Sequence, residues 1–87
     1  MKVVKEHQLQ PQIDSAQYLQ MPDGAELLYV EDGKLFVRAD PAAPLVKRTI
    51  WVCRSEVALP DGPYLGSYDG GRFGKLHVHD GGVAVTP

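Results

Sequence analysis

Cysteine is almost missing from this chain: Cys53 is the only one in 87 residues. One thiol leaves no intramolecular disulfide, and without a cysteine cluster the usual structural zinc frameworks are excluded. Long apolar runs are missing too. No stretch approaches the roughly 20 apolar residues of a membrane-crossing helix. The opening MKVVKEHQLQ meets charge and glutamine too early to hold the apolar core of a signal peptide. Excess charge of either sign is also lacking. The 9 Lys+Arg and 11 Asp+Glu leave a net charge of −2, so no bulk positive field exists to hold a phosphate backbone, which argues against nucleic acid as a partner. Finally, no segment shows a sustained helical period with caps. The expected setting is a reducing cytoplasm, with no membrane association.

What is present is ordinary globular composition, 44% hydrophobic and 23% charged, in a length that makes one domain, residues 1–87. The most informative stretch is Ala25 to Ala39, AELLYVEDGKLFVRA. Two apolar runs flank an Asp-Gly pair, among the strongest short-range hairpin signals. A two-residue type I′ loop at Asp32-Gly33 sets Glu31 opposite Lys34, Val30 opposite Leu35, Tyr29 opposite Phe36, Leu28 opposite Val37, and Leu27 opposite Arg38. One face then carries Leu28, Val30, Leu35 and Val37 toward a core. The other carries the Tyr29/Phe36 pair, bracketed by Glu31/Lys34 and by Leu27 under Arg38.

The rest of the chain reads as further short strands. Val3 to Gln10 resembles an edge strand, with charge on both faces to discourage additional pairing. Ser15 to Met21 reads as a second strand, and Pro22-Asp23-Gly24 as a turn. Asp40 to Leu45, punctuated by Pro41 and Pro44, is a loop. Lys47 to Val57 is the longest β-prone run, with Ile50 and Val52 on one face and Thr49, Trp51 and Cys53 on the other. Leu59 to Pro63 reads as a turn, Tyr64 to Tyr68 as a short strand, and Asp69-Gly70-Gly71 as a hairpin loop. Phe73 to Asp80 alternates, and Gly81-Gly82 is expected to turn the chain into a last strand from Val83 to Val85. About seven short, mainly antiparallel strands built around the 25–39 hairpin make an all-β fold, a compact sandwich or barrel.

The order Met21-Pro22-x-Gly24-Ala25-x-Leu27-Leu28-x-Val30, then Gly33-Lys34-Leu35, Tyr64-Leu65-Gly66 and Leu76-x-Val78-His79 resembles a family of small phage and prophage proteins of unknown function. The likeness covers about residues 19–80 and consists of turn glycines and strand aliphatics. After Val52, Cys53-Arg54-Ser55-Glu56 stands where that family carries a Thr-Gly-His type turn. The resemblance implies an all-β accessory protein in a bacterial host cell and assigns no catalytic residue.

Candidate chemistry is sparse. His77-x-His79 sets two imidazoles on one strand face, ~6–7 Å apart by strand rise, and His7 could add a third metal ligand if the first and penultimate strands pair. Lys75 on that face opposes a cation, and the simpler reading is a solvated polar face. Cys53 with a histidine has the elements of a nucleophile and base, but reads better as a small buried hydrophobe. Lys47, Arg48, Arg54 and Arg72 near Trp51 could form a stacking patch, yet strand parity separates Arg48 and Arg54 from the indole. Leu27, Tyr29, Phe36 and Arg38 are either the interior of a second layer or an exposed patch of the kind that marks partner sites. The expectation is a non-enzymatic protein that acts through a protein partner or self-association, with no cofactor and no evident small-molecule substrate. The alternative is a small metal- or ligand-binding β-barrel built on His7, His77 and His79.

Overall fold

The computed structural model describes residues 1–10, 13–57 and 62–83. The period-two apolar pattern resolves into seven strands: β1 (Val3–Gln8), β2 (Ser15–Pro22), β3 (Glu26–Glu31), β4 (Lys34–Ala39), β5 (Leu45–Arg54), β6 (Tyr64–Asp69) and β7 (Lys75–Val83). All pairings are antiparallel. They form two sheets, ordered β1-β4-β3 and β2-β5-β7-β6. The expected all-β domain is therefore a sandwich, and the barrel alternative falls.

The core lies where alternate side chains of the two sheets meet. Leu35 and Val37 of β4 face Ile50 and Val52 of β5, Val78 of β7 and Met21 of β2, all with no accessible surface. Each such side chain contributes about 1.5–3 kcal/mol by leaving water. Arg48 ties the layers at the rim. Its guanidinium donates to Asp80 Oδ1 and Oδ2 at 3.3 and 2.8 Å within the four-stranded sheet, and to the Ala25 carbonyl at the entrance to β3 at 3.1 Å.

The hairpin forms at the expected turn. Asp32 and Gly33 both have positive φ, 51° and 76°, as a type I′ loop requires. Glu31↔Lys34, Val30↔Leu35 and Tyr29↔Phe36 pair as the sequence indicates, but a β-bulge then displaces the register, giving Leu27↔Val37 and Glu26↔Arg38. Leu28 is the extra residue. The expected pairs Leu28/Val37 and Leu27/Arg38 do not form: Leu27 packs against the core in place of Leu28. The bulge exchanges one apolar side chain for another on the inner face and sets Glu26 beside Arg38 as an ion pair. Bulges of this kind bend and twist edge strands.

Three other boundaries shift. β5 ends at Arg54 and not at Val57; residues 55–57 turn instead, with the Val57 amide donating to the Arg54 carbonyl at 3.4 Å and Glu56 at φ 70°. Phe73 belongs to a single 3-10 turn, Gly71–Phe73, that closes the loop between β6 and β7. Gly81-Gly82 does not reverse the chain. β7 runs through to Val83 with a bulge opposite Thr49 and Ile50, and a Cβ on Gly81 would come within 2.9 Å of Thr49 Cγ2. Most of the expected turn at Leu59–Pro63, and residues 84 and 85 of the expected last strand, lie outside the described residues.

Candidate functional site: the outer face of the three-stranded sheet

The alternation that points Leu35 and Val37 inward points Lys34, Phe36 and Arg38 of β4 outward, and the neighbouring strands complete the face. Register places Tyr29 and Glu6 on either side of Phe36, Glu26 and Val4 on either side of Arg38, and Glu31 and Gln8 on either side of Lys34. The rings of Tyr29 and Phe36 stack with centroids 4.7 Å apart and planes 12° from parallel. Such a pair adds ~0.5–1.5 kcal/mol beyond its buried area. Tyr29 nonetheless remains 46% exposed and Val4 58% exposed.

Of the two sequence readings, the exposed patch is the one observed: the described strands form two sheets only, and the second covers the inner face. Tyr29, Phe36 and Arg38 of the expected site share this surface. Leu27 does not, because the bulge turns it to the core. Charge frames the aromatic pair, with Arg38 bonded to Glu26 and Lys34 3.8 Å from Glu6. Val4 and Glu6 join the face through β1·β4 pairing, which sequence reasoning missed; the alternation of Val4, Glu6 and Gln8 was the available signal.

The histidines are divided between the sheets. His7 lies on β1 opposite Leu35, whereas His77 and His79 lie on β7 opposite Cys53 and Trp51. β1 and β7 lie in different sheets and do not pair, so the three imidazoles do not assemble. Among the described residues no three His, Cys, Asp or Glu side chains come together in a metal-holding group. His77 instead spans two hydroxyls, with Nε2 2.8 Å from Ser55 Oγ and Nδ1 2.9 Å from Tyr64 OH. His79 is 5% exposed, lies edge-on to Tyr64 at 5.1 Å, and has no hydrogen-bond partner for either ring nitrogen among the described residues. Burial, followed by the charge of Lys5, lowers the pKa of His7.

Cys53 is 2% exposed, and burial followed by the negative charge of Asp14 raises its thiol pKa. Although Cys53 sits opposite His77, both ring nitrogens of that histidine are already engaged by Ser55 and Tyr64. This is the environment of an inert buried thiol, since reactive cysteines sit in electropositive, partly exposed sites. The cations of the expected patch each have a partner other than Trp51, Arg72 lying 5.1 Å over the Phe73 ring. Arg48 is held by Asp80; Asp14 receives Arg54 Nε at 2.7 Å and the Arg54 amide at 2.9 Å; and Lys47 lies 5.7 Å over the Tyr18 ring. An open groove of about 510 Å³ beside the 55–57 turn is lined by Arg54, Ser55, Glu56, Val57, Phe73, Gly74 and Lys75. Neither His79 nor the Cys53 thiol lines it. Comparison with family models, curated proteins and solved structures finds no match to this chain.

Proposed function

We propose that this protein acts by binding, as a non-enzymatic accessory protein of a phage or prophage that engages a protein partner or a second copy of itself through its three-stranded sheet. One observation carries the reading: a stacked Tyr29/Phe36 pair, Tyr29 exposed and Phe36 half-buried, lies on a sheet face framed by ion pairs. An apolar centre with a charged rim is the anatomy of an interface, and rigid aromatics are favoured as its anchors. A small domain also gains from sharing that face, because it buries a smaller share of its surface than a large one. The phage setting rests on the family resemblance alone.

Affinity capture from bacterial host cells tests it, using the full chain as bait and a Tyr29→Ala/Phe36→Ala double variant as control. Specific loss of a captured protein with the folded control supports the reading. Identical capture by both baits removes Tyr29 and Phe36 from the interface.

A further inference from the structure

We infer that the free edge of β1 pairs antiparallel with β1 of a second copy about a two-fold axis at Val4, joining the two three-stranded sheets into one of six strands. The inference rests on the reading of this sheet as the interaction element and names its partner as a second copy of the chain.

β1 hydrogen-bonds to β4 along one edge, and among the described residues no strand pairs with the other. Five of its six residues are exposed and His7 is half-buried, so both faces as well as the edge are open. An open strand edge is a template for another strand unless something blunts it. β1 has no proline and no bulge. Its protection is charge, and the pattern of that charge forbids some registers and favours one.

A two-fold axis that joins two copies of one strand antiparallel stands perpendicular to the sheet, so it keeps each side chain on its own face. Paired positions must therefore share parity. With Lys5 at the axis, two ammonium groups face each other. With Glu6 at the axis, two carboxylates do, and like charges directly opposite are destabilising. With Val4 at the axis, two exposed valines meet, Val3 lies opposite the aliphatic stem of Lys5 of the second copy, and Lys2 lies opposite Glu6 of the second copy. That opposite-charge pair occurs twice by symmetry. This register also keeps the contact toward the amino-terminal end of β1, away from Leu9, whose amide bonds the Gly33 carbonyl at 3.0 Å.

Cysteine pairing reads the register directly, because directly opposed Cα atoms in an antiparallel ladder lie ~4.5–5.5 Å apart, within disulfide range. In the full chain carrying Cys53→Ala, mild oxidation is expected to link Val4→Cys to itself. Lys2→Cys and Glu6→Cys are expected to link only when mixed. Sedimentation across a concentration series is expected to show a dimer, weakened about fivefold by Lys2→Glu through the two lost ion pairs and restored by Lys2→Glu/Glu6→Lys. A monomer throughout the series overturns the inference, as does Lys5→Cys linking faster than Val4→Cys. Tyr29→Ala/Phe36→Ala separates the two readings. If capture depends on those rings while the protein stays monomeric, the edge pairing fails and the proposed function stands. If Val4→Cys still links but capture ignores the rings, the edge pairing stands and the aromatic interface fails.

Discussion

Arg48 grips both carboxylate oxygens of Asp80 with two guanidinium nitrogens, at 3.3 and 2.8 Å, and both side chains are more than four-fifths buried. The same guanidinium reaches across to the Ala25 carbonyl, and Asp80 also accepts from the Gly82 amide at 2.7 Å. The pair therefore fixes the β7 bulge and joins the two sheets at one point.

Removing one member leaves the other charged and starved of solvent, which costs more than the pair contributes as a unit. Asp80→Asn and Arg48→Met are each expected to lower unfolding free energy by about 2–4 kcal/mol. The double variant is expected to lose clearly less than the sum. Urea denaturation of the four proteins measures this, and strictly additive losses would show that the two side chains do not act together.

The pH dependence has two parts with the same sign. Burial pushes the Asp80 carboxyl up, but the Arg48 hydrogen bonds, the Gly82 amide and the Arg48 charge outweigh it and hold the pKa below the ordinary 3.8. The stability Asp80 contributes is present above that ordinary value and is lost as pH falls through the lower folded value. His7 is lowered from 6.5, and its Nε2 is buried without a hydrogen-bond partner among the described residues. The unfolded chain therefore takes up that proton first, and stability declines as pH drops below about 6.5. Urea midpoints are expected to fall between pH 7.5 and 5.5, with a smaller fall in His7→Gln. An unchanged slope in that variant would locate the titration elsewhere.

The hairpin was legible because its determinants are local: Asp32-Gly33 sets the turn, and the nearest three pairs follow from it. The bulge was not, since Leu27 and Leu28 are equally fit for the core, and the shifted register that sets Glu26 beside Arg38 has no mark in the local sequence. The pairing of β1 with β4 is likewise a contact between distant segments: the alternation in Val3–Gln8 marks a strand and its faces but does not name the strand it pairs with. The aromatic half of the candidate site was read correctly onto one face, because it lies on the turn side of the bulge. Leu27, beyond it, was misplaced for the same reason.

That displacement can be measured. Leu27 packs against the core and Leu28 does not, so Leu27→Ala is expected to cost about 1–2 kcal/mol more than Leu28→Ala. The reverse order in chemical denaturation would restore the unbulged hairpin and return Leu27 to the outer face.

Cys53 offers a test of the other sheet. A thiol 2% exposed, with its pKa raised by burial and by Asp14, reacts only when the structure opens. Modification by a disulfide reagent at pH 8 is expected to be about a hundredfold slower, or more, in native protein than in urea. Because His77 gives its nitrogens to Ser55 and Tyr64, any change in His77→Ala is expected to track the loss of stability, not the removal of a base. Fast native labelling that disappears in His77→Ala without a matching change in urea midpoint would instead reveal a thiolate–imidazolium pair, and would reopen the nucleophile reading of Cys53.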